Sequence, residues 1–259
     1  MKIGVFDSGL GGMVISKAFI SGMPEYDYMY YGDSEHLPYG DKTSGQILNY
    51  TLAAMRYMID ADCKIIIIAC NTATSICLRY IQQRFIPQVA PDVKVLGVVI
   101  PTVEEALEGN SRVVGVIATN ATIRSHIYQT ELLKIKSDLQ ITEIAAPQLV
   151  PAIETNNLAL AEQLAAEYST HFSQCDSLIL GCTHYPLLKN VFRSCLPKVR
   201  IISQDEFMAD KLKDYLQRHP EIDAHLVRNS NREFFVSSLN EHTVITAQRL
   251  FPDIKLLKA

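Results

Sequence analysis

Apolar residues fall along the chain in two alternating patterns. One is a short unbroken run rich in Ile and Val, as at 65–69; the other is a longer stretch in which apolar positions return every three or four residues, as at 44–59. The first reads as a strand buried on both faces, the second as one face of a helix. Strands are predicted at 2–6, 28–31, 64–69, 94–98, 112–118, 140–144, 177–180, 199–202 and 233–236. Helices are predicted at 13–20, 44–59, 72–84, 103–107, 123–136, 157–172, 187–195 and 241–250. Strands alternating with helices spell βαβ units. The fold class is therefore α/β, a mostly parallel sheet flanked by helices on both faces.

The pattern repeats once. In the first half a strand runs into Asp7 and a later strand runs into Cys70-Asn71-Thr72; in the second a strand runs into Thr119 and a later strand into Cys182-Thr183-His184. The same number of residues separates Asp7 from Cys70 as Thr119 from Cys182. The simplest physical account is two similar lobes, each offering a cysteine at the carboxyl end of a strand. Residues 1–97 with 208–259 are expected to form the first lobe and 98–207 the second, the tail returning to complete the first. A chain of 259 residues is long enough to give each a core.

Charge narrows the function. A net charge of -4 without any Lys/Arg cluster argues against a nucleic-acid groove or a membrane-surface patch. The longest apolar runs are far too short to span a bilayer, and the first residues lack a secretory signal pattern, so a cytoplasmic protein is expected. There Cys63, Cys70, Cys77, Cys175, Cys182 and Cys195 should be thiols. With neither C-x-x-C nor zinc-ligand spacing, no metal site is expected. Cys63, Cys77, Cys175 and Cys195 read as small buried apolar residues.

Cys70 and Cys182 differ, because each stands at a strand-to-helix junction. In α/β sheets ligands bind beyond the carboxyl ends of the strands. A thiol there meets helix N-terminal N–H groups, which should lower its pKa toward neutrality. Asn71, Thr72 and Thr183 can donate hydrogen bonds to a bound anion. Asp7-Ser8-Gly9-Leu10-Gly11-Gly12 matches neither a dinucleotide fingerprint nor a P-loop, and its Asp would repel phosphate. It suits an ammonium group, or is simply a capped tight turn. His184, two residues beyond Cys182, can exchange a proton with the thiol. Pro38-Tyr39-Gly40 reads as a turn and Glu154 as a carboxylate at a helix start.

Taken together, the segments Gly4-Val5-Phe6-Asp7-Ser8-Gly9, Tyr31-Gly32-Asp33-Ser34, Pro38-Tyr39-Gly40, Ala69-Cys70-Asn71-Thr72-Ala73, Ala121-Thr122-Ile123-x-Ser125 and Gly181-Cys182-Thr183-His184-Tyr185-Pro186 closely resemble the bacterial glutamate racemases, of the cofactor-independent aspartate/glutamate racemase superfamily. The match runs in order from Lys2 to about Ile202. Ser203-Gln204-Asp205 departs from the Asp-Ser-Gly-like stretch usual in that family, so no site residue is drawn from there. The resemblance implies two pseudo-symmetric lobes with glutamate between them. It implies that Asp7, Ser8, Pro38, Tyr39, Gly40, Asn71, Thr72, Thr119, Thr122, Thr183 and His184 surround the substrate. It implies that Cys70 and Cys182 are the catalytic pair, assisted by Asp7, Glu154 and His184, with no cofactor and no metal. Cys70 would act on D-glutamate and Cys182 on L-glutamate, and the product would supply peptidoglycan synthesis. A homodimer is left open.

Racemisation removes a proton from one face of Cα and adds one to the other. Two sulfurs about 7 Å apart, one thiolate and one thiol, can do this without turning the substrate. The alternatives are an aspartate racemase of the same superfamily and, outside it, a thiol redox or binding module.

Overall fold

A computed structural model describes residues 1–250, 252 and 254–259. Its strands are β1 (Lys2–Asp7), β2 (Tyr28–Gly32), β3 (Cys63–Ile68), β4 (Lys94–Gly97), β5 (Val113–Ala118), β6 (Gln140–Ala145), β7 (Ser177–Gly181), β8 (Arg200–Ile202), β9 (Arg232–Val236) and β10 (Leu256–Lys258). They form two wholly parallel sheets, ordered β10-β9-β2-β1-β3-β4 and β6-β5-β7-β8. The order β2-β1-β3-β4 of the first sheet recurs as β6-β5-β7-β8 in the second, so the repeat read from the sequence is a repeat of topology. The central strands β1, β3, β5 and β7 are covered by helices on both faces, which is why their sequences are apolar without alternation: Ile65 to Ile68 are all buried, as are Val114 and Val116 to Ala118.

The helices nearest the site are α1 (Gly12–Gly22), α2 (Ser44–Asp60) and α3 (Asn71–Tyr80). A capping box formed by Thr43 and Gln46 starts α2. The helix expected at 72–84 is α helix only to Tyr80 and then widens into a π turn, Ile81–Phe85. The helix expected at 123–136 is two helices. Thr119 caps the first, Asn120–Arg124, and His126, at φ 50°, breaks the chain before the second, Ile127–Ile135. The helix expected at 103–107 starts at Val99 and carries Pro101 in its first turn, where no N–H is needed. Four α-helices, Ile86–Val89, Leu149–Glu154, Met208–Arg218 and Pro220–Asp223, and the edge strand β10 lie outside the elements the sequence predicts. Among the four cysteines read as buried apolar residues, Cys195 is exposed, because it ends the helix Lys189–Cys195 on its outer face.

Candidate active site between the two sheets

Four strand ends converge on one cleft. Parallel strands all point their carboxyl ends the same way, so β1 delivers Asp7 and Ser8, β3 delivers Cys70, β5 delivers Thr119 and β7 delivers Cys182. Ser8, Pro38, Tyr39, Gly40, Cys70, Asn71, Thr72, Thr119, Cys182, Thr183 and His184 line the cleft. Asp7, Thr122 and Glu154 stand one layer behind its wall: each is buried and bonded to a residue that lines it. Leu37, Asp41, Asn120, Pro147 and Val150 complete the lining and were not foreseen. Asn120 had a local signal, being the neighbour of Thr119 at a helix start; Pro147 and Val150 had none.

Cys70 is the N-cap of α3, its sulfur accepting the Ala73 N–H at 3.4 Å, and its thiol donates to Ser8 Oγ at 3.3 Å. The helix terminus does not make this thiol acidic, contrary to the expectation from its sequence position. Burial, then the nearby Asp7 carboxylate, push its pKa up to about 12, outweighing the hydrogen bonds it makes with Ser8 and Ala73. The Cys182 charge adds to the same rise, so the two sulfurs are within electrostatic reach of each other.

Cys182 has a different neighbour. Its sulfur lies 3.8 Å from His184 Nδ1, and His184 Nε2 lies 2.5 Å from Glu154 Oε1. All three side chains are buried. Burial alone would lower the imidazole pKa, but the hydrogen bonds and charges of Cys182 and Glu154 win and raise it well above the usual value. That direction favours the imidazolium, which offers one N–H to the sulfur and one to the carboxylate.

Asp7 and the glycine loop connect these two surroundings. Asp7 Oδ2 accepts the N–H groups of Gly9 and Gly12 at 3.2 and 3.0 Å, and Oδ1 accepts the Thr183 hydroxyl at 3.2 Å. Burial raises the Asp7 pKa, a rise countered by the His184 charge and by these three donors. The loop can approach so closely only because its residues lack side chains. A Cβ on Gly12 would sit 2.4 Å from Asp7 Cβ, and one on Gly11 would sit 2.5 Å from His184 Nδ1. The loop is a capped turn that packs against the site, not a phosphate cradle.

The second lobe reaches back symmetrically. Thr119 Oγ1 meets Thr72 Oγ1 at 2.8 Å, and Thr122 Oγ1 lies within 3.2 Å of Thr72 Oγ1. At the cleft mouth the Tyr39 hydroxyl donates to Asp33 Oδ2 at 2.6 Å, while Ser237 and His36 bond the same carboxylate. His36 stacks on Tyr50 with ring centroids 3.8 Å apart. This polar cluster fixes the turn that carries Pro38 and Gly40. Among the described residues no cluster of His, Cys, Asp and Glu is placed to hold a metal ion, and no helix is long and apolar enough to cross a membrane.

Two parallel sheets of matching order, with a cysteine from each lining one cleft at the carboxyl ends of the strands, define a class of α/β protein with a small-molecule site between its sheets. Comparison with known proteins gives that class its name. Residues 22–210 match the family model described as Asp/Glu/Hydantoin racemase, and the chain belongs to that family of cofactor-independent amino-acid racemases. It is 38% identical over 236 residues to a glutamate racemase of Ruegeria pomeroyi, an alignment spanning 85% of this chain and 87% of the relative. Among solved structures it is similar to a glutamate racemase of Bacillus anthracis, at 30% identity and a TM-score of 0.88 over 100% of this chain and 97% of the other. It is also similar to the Francisella tularensis glutamate racemase in complex with D-glutamate, at 30% identity and a TM-score of 0.87, covering 99% of this chain and 95% of that one.

Proposed function

We propose that this protein is a glutamate racemase that interconverts L- and D-glutamate by two-base proton transfer between Cys70 and Cys182, in the cytoplasm, supplying D-glutamate for peptidoglycan. The observation that carries the proposal is the pair of sulfurs at matching strand ends on one cleft. The first lobe would comprise 1–97 with 208–259 and the second 98–207, with the substrate held between them.

From L-glutamate, the Cys182 thiolate takes the α-proton as the Cα–H electron pair becomes a carbanion. The Cys70 thiol then delivers its own proton to the opposite face. D-glutamate leaves behind a Cys70 thiolate and a Cys182 thiol, which is the form ready for the reverse reaction. Returning to the starting form moves one proton, and His184 beside Cys182 is placed to relay it. A substrate ammonium near Asp7 and Cys70 brings a positive charge that stabilises both anions in a dry site. The hydroxyls of Thr72 and Thr119 and the Asn71 amide N–H supply donors for the two carboxylates of the substrate, while Thr183 gives its hydroxyl proton to Asp7.

The test is incubation of chelator-treated protein with L-glutamate in heavy water, following circular dichroism and α-deuterium uptake together. Loss of optical activity with one deuterium per product molecule supports the proposal. Turnover only after added metal or pyridoxal phosphate removes it. Equal specificity constants for glutamate and aspartate would overturn the substrate assignment, since a shorter side chain should leave buried donors unpaired at about 1–3 kcal/mol each.

A further inference from the structure

Gln204 falls in the stretch from which the sequence yields no site residue, yet it is completely buried. It forms a complementary amide pair with Asn71, the first residue of α3 and the neighbour of Cys70. Asn71 Nδ2 donates to Gln204 Oε1 at 3.0 Å, and Gln204 Nε2 donates back to Asn71 Oδ1 at 3.0 Å.

The direction of that pair is set from outside it. In the helix Val99–Leu107 the Thr102 hydroxyl donates to the Val98 carbonyl at 2.6 Å. A hydroxyl has one proton, so toward Gln204 Thr102 can only accept. The Gln204 atom 3.0 Å from it is accordingly the nitrogen. Gln204 Oε1 then faces Asn71, which must present Nδ2. Asn71 Oδ1 also accepts the Tyr128 hydroxyl at 2.6 Å, which fills its second lone pair. One hydrogen-bonding valence of the Asn71 amide remains, an N–H, and Asn71 lines the cleft. The chain of donors starts at a backbone carbonyl, which cannot reverse.

We propose that Gln204 is a positioning residue which, with Thr102 and Tyr128, fixes the polarity of the Asn71 amide so that Asn71 meets the substrate as a donor only, matched to a carboxylate. The inference rests on the glutamate reading above. Its consequence is that a hydroxyl in the opposite lobe, remote from the reacting atoms, controls substrate affinity.

The experiment compares Thr102→Val, Thr102→Ser and Gln204→Leu by steady-state kinetics from both enantiomers, with Tm measured for each. Valine keeps the shape of Thr102 but removes the acceptor, so the amide pair can invert and turn an oxygen toward the carboxylate. KM should rise about tenfold for L- and D-glutamate alike, the loss expected when a hydrogen bond to a charged group is weakened. kcat should change little, because the contact exists in ground state and transition state alike. Thr102→Ser restores the hydroxyl and should restore KM. Gln204→Leu should raise KM similarly; if it does not fold, the Thr102 pair decides alone. A wild-type KM in Thr102→Val, or the same loss in Thr102→Ser, would overturn the inference by showing that packing matters and hydrogen-bond direction does not. Side-chain amide NMR separates this from a failure of the functional reading. Slow exchange of the Asn71 and Gln204 NH₂ protons in wild type and Thr102→Ser, lost in Thr102→Val, supports the clasp even if glutamate is not turned over. Fast exchange in wild type counts against it.

Discussion

Glu154→Gln isolates the part of the site that acts at one remove. Glu154 stands behind the wall of the cleft, and its Oε1 holds His184 Nε2. The amide keeps the size and removes the charge. A charge-assisted hydrogen bond of this kind contributes about 1.5–3 kcal/mol, which is roughly one to two pH units of imidazole pKa. With that support gone, burial, the largest influence on His184 and one that lowers its pKa, is opposed by Cys182 alone. The ring then loses its proton at a lower pH, and the imidazolium beside Cys182 is less populated. The same 1.5–3 kcal/mol corresponds to a fall in rate of roughly ten- to 150-fold. The sign follows from the direction of the shift: the loss is smallest at low pH, where the ring is still protonated, and grows as pH rises through the lowered pKa. Overall specificity constants cannot show which face is affected, because the equilibrium between enantiomers is fixed at one. Isotope effects can. As the Cys182 step becomes more limiting, the effect measured with α-deuterated L-glutamate should rise and that with α-deuterated D-glutamate should fall. Equal changes in both directions would refute the assignment of Glu154 and His184 to Cys182. A wild-type rate across about pH 6–9 (from roughly half a unit below to roughly 2.5 units above the ordinary imidazole pKa) would refute the role of the ion pair altogether.

Other outcomes follow from the same geometry. Cys70→Ser and Cys182→Ser should each lose racemisation, yet retain slow solvent exchange of the α-proton of L-glutamate and D-glutamate respectively, read by NMR; wild-type racemisation in either ends the two-base scheme. Gly11→Ala should lower stability by about 1–3 kcal/mol through overpacking and reduce kcat, because the new methyl enters the space of His184 while the backbone, at φ -59°, tolerates alanine; an unchanged Tm and kcat would contradict the contact. Alkaline pH should destabilise the fold. Burial raises Cys63 and Cys70 to about 12 and Cys77 to about 11, so above about pH 9 the unfolded chain releases these protons first and stability falls with rising pH. Each thiol should contribute about 1.4 kcal/mol per pH unit in that window, and urea midpoints at pH 8.5 and 10 (both set about the ordinary thiol range) for wild type and Cys63→Ala should show a shallower fall in the variant.

The sequence exposes the strand ends of this protein because a strand buried on both faces must be apolar throughout, so a cysteine at its end stands out against the run before it. The topological repeat is legible for the same reason. What escapes is what depends on partners distant along the chain. Gln204 is held by Asn71 and Thr102, and nothing near it in sequence marks it. The raised pKa of Cys70 is not legible in the sequence either, because the helix terminus is a local feature, while its burial and the Asp7 charge come from the assembled fold. The helix Leu149–Glu154 is short and carries Pro151, so its periodicity is too brief to register. The helix Met208–Arg218 is another matter: Met208, Leu212 and Leu216 are buried along one stripe at a spacing the residues themselves display.

Counting from the cysteines, Asp7 corresponds to Thr119 and His184 to Thr72. Asp7 and His184 attract each other as opposite charges, and the corresponding Thr119 and Thr72 touch as neutral hydroxyls at 2.8 Å. Among these four positions charge lies along one diagonal only. A planar carbanion has two equivalent faces, but its three arms are an ammonium, a carboxylate and a longer acidic chain, and no twofold rotation that exchanges the faces leaves all three in place. A perfectly duplicated protein would accept such a molecule equally well in two opposed orientations. On the two-cysteine reading, the charged diagonal removes that degeneracy: the amino acid should lie one way round whichever hand it arrives in, with only the proton changing sides.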